Sequence, residues 1–152
     1  STAEKAALAS DVGADKVILY TGQDFAEEIN DHTSGEGIEV VYDSVGQQTF
    51  DGSVRSLGLR GTLVLYGQSS GPVPPVDLSV LGPRSLAVMR TGLVSYTSTR
   101  DVLDRRATDV LGWINSGQVK LHIHKSYPLA EAADAQRELE GRQSVGKLLL
   151  IP

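Results

Sequence analysis

The sequence predicts an α/β protein built on a parallel sheet. Three observations carry this expectation. Apolar stretches of strand length alternate with amphipathic stretches of helix length through the first half of the chain. Two of the strand stretches, VVY at 40–42 and LVLY at 63–66, are continuously apolar, as expected where both faces of a strand are covered. The links between these stretches are short and rich in glycine.

Each element has its own local signal. Ser1 and Glu4 have capping-box spacing at the head of a first helix. Its Leu8 and Val12 are four apart, with small alanines around them, and Gly13 stops it. Residues 16–20 (KVILY) read as a strand. Asp24 caps a second helix, with Glu27 at the capping-box position and Phe25 and Ile29 four apart; residues 33–37 (TSGEG) end it. IEVVYDSVG at 38–46 is a strand and its exit. Phe50, Val54 and Leu57 mark a third helix at i, i+4 and i+7, with Gly58 and Gly61 bracketing its end before the strand TLVLYG.

The rhythm then changes. GQSSGPVPPVD at 67–77 is a loop too long to be mere connection. SLAVMRT at 85–91 is a further strand. Thr99 caps a long helix in which Leu103, Ala107, Val110 and Ile114 share a face, ended by Gly117. VKLHIH at 119–124 is a short strand, 129–141 a helix and GKLLLIP a closing strand.

Composition narrows the function classes. The 152 residues carry a net charge of −5, which argues against nucleic-acid and anionic-membrane surfaces, since both reward clustered Lys and Arg. No stretch approaches the ~20 apolar residues of a membrane span, and the alanine-rich start has no basic leader segment, so no secretory signal is expected. The absence of cysteine excludes disulfides, thiolate zinc sites and a Cys nucleophile within the chain.

Ligands of open α/β sheets bind at the carboxyl ends of parallel strands. Three segments leave strands in this way: Tyr20-Thr21, Asp43-Ser44-Val45-Gly46 and Gly67-Gln68-Ser69-Ser70-Gly71. Ordinary turn chemistry accounts for any one of them; three in succession point to a cleft. The third segment also matches the G-x-S-x-G elbow of serine hydrolases, but that motif needs a helix after the serine, which Pro72, Pro74 and Pro75 oppose. His122 and His124, two apart on a strand, share a face but have no third metal ligand in view, so an exposed strand face is expected. Gly35-Glu36-Gly37 precedes its strand, which is the wrong side for a phosphate cradle.

Read together, GADKVILYTGQDFAEEI, VVYDSVGQQTFDGSVRSL, GTLVLYGQSSGPVPPVDL, SLAVMRTGLVSYTSTRDVL and GRQSVGKLLLIP closely resemble the zinc-independent quinone oxidoreductases, the zeta-crystallin branch of the medium-chain dehydrogenase/reductases. The resemblance runs along the entire chain. It implies a partial Rossmann fold, a doubly wound, mostly parallel sheet of family order 3-2-1-4-5-6 lacking the first two strands and the Gly-rich turn. Residues 1–116 would be the cofactor-binding domain, with strands 3 to 6; residues 117–152 would return to complete the catalytic domain.

The resemblance also implies the chemistry: hydride transfer from NADPH to a quinone or similar conjugated carbonyl, without zinc, in a cytoplasmic homodimer paired through the edge strand 85–91. Ser1, Thr2 and Lys5 would hold the adenosine 2′-phosphate, with Lys5 as the cation, favouring NADPH over NADH. Tyr20 would flank the adenine, and Ser44 and Val45 would approach from strand 4. Tyr66, Gly67, Gln68 and Ser69 would lie beside the nicotinamide ribose, where Tyr66 and Gln68 depart from the family's Phe and Asn. Arg142 matches a family arginine near the cofactor. No catalytic residue is named by these motifs. An enoyl reductase acting on an acyl thioester and a non-catalytic nucleotide-binding module are the alternatives. With strands 1 and 2 missing, strand 3 would lie about 14 Å from strand 4 with unpaired edges, so the isolated chain is expected to be inactive.

Overall fold

The computed structural model describes residues 2–141 and 144–152. They form two compact units, Ser1–Ser98 and Thr99–Pro152. The first holds α1 (Ala3–Asp11), α2 (Phe25–His32), β1 (Ile38–Asp43), α3 (Phe50–Ser56), β2 (Leu57–Leu65), a 3-10 turn over Leu78–Arg84, β3 (Ala87–Arg90) and the short α4 (Leu93–Tyr96). The second holds α5 (Arg100–Asn115), β4 (Ile123–Pro128), a 3-10 turn over Leu129–Glu131, α6 (Ala132–Glu140) and β5 (Lys147–Ile151).

The first unit is a three-stranded parallel sheet in the order β1-β2-β3. This is the α/β architecture expected, with the order of strands 4, 5 and 6 of the doubly wound sheet. In register, Tyr42 pairs with Val64 and Val64 with Met89. Strand side chains alternate between faces, so Leu63 and Leu65 point together to one side. There they meet Phe50 and Val54 of α3 and Leu57, with Val41, Val73, Val76, Leu81 and Leu86 closing the cluster. Leu57 and Leu63 are fully buried. The opposite side differs from the expectation of two covered faces: Val40, Tyr42 and Met89 are exposed.

Other differences have physical causes. Residues 16–19 form no strand. A strand exists only through its ladder partners, and this stretch has none among the described residues; Ile18 and Leu19 instead accept the turn bonds from Tyr20 and Gly22. The helix cap is Thr2, whose hydroxyl accepts from the Lys5 N–H at 3.3 Å, in place of Ser1. The third helix stops at Ser56, so Leu57, Gly58 and Gly61 belong to β2, which bulges where Ile38 pairs with Leu57 but Val40 with Thr62. Asp24 and Thr99 cap α2 and α5 as expected.

In the second unit β4 and β5 pair in parallel. β4 begins four residues later than the apolar pattern predicts, at Ile123, because its register follows β5 and its buried anchor is Tyr127. His122 therefore lies outside the strand. His124 lies within it and meets Glu138 of α6 at 2.9 Å, and the Tyr127 hydroxyl donates to the same carboxylate. The Lys125 ammonium sits 4.2 Å over the Tyr127 ring and donates to its hydroxyl at 3.0 Å.

Candidate functional site

The parallel order places the exits of β1 and β2 side by side, and backbone hydrogen bonds join them into one platform. The Asp43 carbonyl accepts from the N–H groups of Tyr66 (2.9 Å) and Gly67 (3.3 Å). Ser44 O accepts from Ser69 N–H at 3.2 Å, and Val45 O accepts from Ser70 N–H at 2.8 Å. The Ser70 hydroxyl donates to Val45 O at 2.7 Å and accepts from Gln48 N–H at 3.0 Å. Gln47 N–H closes the set on Gly71 O at 3.2 Å.

Two glycines permit this approach. A Cβ on Gly67 would lie 2.5 Å from Ser44 O, and Gly46 takes φ +88°, which side chains rarely adopt. Their positions explain why sequence reading isolates S-V-G and G-Q-S-S-G as segments.

Asp43 organises the first loop from within. It ends β1 and is only 4% exposed. Its Oδ1 accepts from Val45 N–H at 2.8 Å and Gly46 N–H at 3.0 Å. Its Oδ2 accepts from the Ser53 hydroxyl at 2.8 Å, and Thr49 Oγ1 reaches both carboxylate oxygens, at 2.9 and 2.8 Å. Burial alone pushes this carboxyl up; the Gly46, Ser53, Thr49 and Val45 donors outweigh it and hold the group below the usual carboxylate range. The sequence reading marked the segment but not this residue. The available signal was an acidic residue closing a continuous apolar strand, with Thr and Ser six and ten residues on.

A pocket of about 290 Å³ opens beside the platform. Ile18, Tyr20, Phe25 and Ile29 form one wall, and Val41, Tyr42, Ser44 and Val45 lie on the strand side. Tyr20 packs edge-on against Phe25, ring centroids 6.4 Å apart. A second groove, lined by Tyr42, Val64, Tyr66, Met89, Thr91 and Tyr96, lies across the strand ends.

The expected cofactor residues therefore sort into groups. Tyr20, Ser44 and Val45 share the first pocket. Ser69 joins Ser44 and Gly67 joins Asp43 through the platform bonds, and Gln68 lies between them, its carbonyl accepting from Gly71 N–H. Tyr66 lines the second groove. Thr2 and Lys5 share the first turn of α1 and line neither pocket. Ser1 and Arg142 lie outside the described residues. No helix follows Ser69 until the 3-10 turn at Leu78, as the prolines require.

The family model for zinc-binding dehydrogenases matches residues 12–150. The chain belongs to the zinc-binding dehydrogenase family. It is 38% identical to the 2-haloacrylate reductase of a Burkholderia species, covering 100% of this chain and 46% of that protein. It is 39% identical to a quinone oxidoreductase of Pseudomonas aeruginosa, covering 100% and 47%. The structure of Escherichia coli quinone oxidoreductase complexed with NADPH superposes with a TM-score of 0.91 at 40% identity, covering 99% and 47%. The kinship with quinone oxidoreductases read from the sequence is thus borne out. The chain spans about half the length of the curated relatives it matches.

The family's name implies zinc, but this chain does not offer a fitting donor set. It contains no cysteine, and no three His, Asp or Glu among the described residues are grouped to hold a metal. Among the described residues, no helix is long and apolar enough to cross a membrane.

Proposed function

We propose that this chain is the cofactor-binding part of a longer oxidoreductase that passes hydride from NADPH to a quinone or similar conjugated carbonyl. The observation that carries this reading is the platform at the carboxyl ends of β1 and β2, the place where open parallel sheets take nucleotides. The relatives that match the chain from end to end include quinone oxidoreductases, one of them solved with NADPH.

The residues present fit that cofactor. Ser44 and Val45 present small side chains and backbone to the pocket beside the platform, where a ribose would lie. The Tyr20 ring offers a flat apolar face for an adenine. Thr2 and Lys5 bring a helix N-terminus and a cation together, the combination that suits a 2′-phosphate. When bound, NADPH supplies the hydride; the chain's own groups bind, orient and exclude water. In this reading, 1–116 forms the cofactor domain, 117–152 completes the catalytic one, and the exposed edge of β3 within 85–91 pairs with a second copy in a cytoplasmic enzyme.

One observation favours a second substrate class. The 2-haloacrylate reductase relative is as similar as the quinone oxidoreductases, which keeps other activated alkenes, enoyl thioesters included, in play. A substrate panel of quinones, haloacrylates and enoyl thioesters, run with the full-length protein and NADPH, tests the reading. Turnover of quinones supports it. No NADPH oxidation with any member overturns it in favour of a non-catalytic module.

A further inference from the structure

We propose that Asp43 is a positioning residue for cofactor binding: at the inner wall of the pocket, with both carboxylate oxygens taken by protein donors, it acts by shaping the Ser44–Val45–Gly46 turn. This rests on the reading that the turn faces NADPH. The two carboxylate oxygens of Asp43 divide the labour. Oδ1 takes the consecutive N–H groups of Val45 and Gly46, so it sets the path of the backbone that presents Ser44 and Val45 to the pocket. Oδ2 takes the Ser53 hydroxyl from α3, so it anchors the same side chain to the helix. Thr49 spans both. The turn is thereby referenced to the buried helix and not to solvent. At the same time the Asp43 carbonyl holds Tyr66 and Gly67, the other half of the platform. One residue thus ties both loops to the core.

The geometry separates this role from mere stability. Ser53→Ala removes a bond on the helix side and leaves both turn bonds in place. Asp43→Ala removes both turn bonds. In Asp43→Asn the amide oxygen can occupy the Oδ1 position, while its NH₂ donates to the Thr49 and Ser53 hydroxyls, which accept as well as donate. The turn then survives although the charge is gone.

The test is calorimetric titration of NADPH into the full-length protein and these three variants, alongside thermal unfolding and steady-state kinetics. Expected are a Kd for Asp43→Ala raised about tenfold or more with kcat at saturation within about twofold, a Kd for Asp43→Asn within about threefold of the parent, and a Ser53→Ala protein that loses thermal stability but keeps its Kd. An unchanged Kd in Asp43→Ala overturns the proposal, as does a Ser53→Ala Kd that rises equally. Should Asp43→Ala fail to fold, Asp43→Asn decides: a Kd raised tenfold or more there refutes the role assigned to Oδ1, and a near-parental Kd supports it. If the parent itself does not bind NADPH, the functional reading fails first, and that result is distinct from all of these.

Discussion

Gly67→Ala is the substitution whose effect follows most directly from the geometry of the platform. An added Cβ would lie 2.5 Å from Ser44 O, 2.8 Å from its Cα and 3.0 Å from its carbonyl carbon. All three are backbone atoms, so no side chain can swing aside. Reaching ordinary contact requires the exits of β1 and β2 to part by about 0.9 Å, since such contacts begin at 3.4 Å. That separation breaks the bonds from Tyr66 and Gly67 N–H to Asp43 O, now at 2.9 and 3.3 Å. Two hydrogen bonds at about 1 kcal/mol each, with the lower part of the usual overpacking cost of about 1–3 kcal/mol, give a destabilisation of about 2–4 kcal/mol. Gly112→Ala is the internal control. It lies inside α5, a Cβ there meets nothing within 4 Å, and the exchange should stabilise by about 0.5–1 kcal/mol. Urea unfolding of the two variants and the parent, compared at equal slope, checks both signs. The reasoning is refuted if Gly67→Ala falls within about 0.5 kcal/mol of the parent, the usual range of neutral substitutions.

Three further outcomes are expected. Leu63→Ala empties a fully buried position between β2 and α3 and should cost about 2–5 kcal/mol by the same assay. Asp43 titrates below its unfolded value, so the stability it lends is present above about pH 4 and is lost as pH falls through its lower folded pKa; in acid titrations followed by circular dichroism, Asp43→Asn should flatten that part of the profile. Glu138 is also held low, first by the Tyr127 hydroxyl and then by Lys125 and His124. Glu138→Gln should shrink the acid-side loss of protection at the β4–α6 contact, read by hydrogen exchange at Tyr127.

Where an element is decided locally, the sequence was sufficient. Asp24 and Thr99 cap α2 and α5 through their own side chains, and the apolar runs at 40–42 and 63–65 lie in paired strands, with Tyr66 just beyond the second. Where a partner decides, it was not. Residues 16–19 have strand composition, yet composition cannot supply a ladder. Leu57 fits a helical period and nonetheless leaves α3, because β2 buries it completely. The start of β4 is set by β5, 24 residues away at Ile123↔Lys147. The site divides in the same manner. Glycines and serines at strand exits are legible as turn chemistry, and the resemblance extends them to a cofactor surface. The role of Asp43 depends on hydroxyls brought to it by α3, which a linear reading does not show.

The central claim is that this chain supplies an NADPH-binding surface. Titration of NADPH and NADH separately into the full-length protein, followed calorimetrically, tests it most directly. The account predicts saturable one-site binding with NADPH the tighter ligand, and a smaller preference in Lys5→Ala. Absence of binding by either nucleotide, or a preference for NADH, would contradict it.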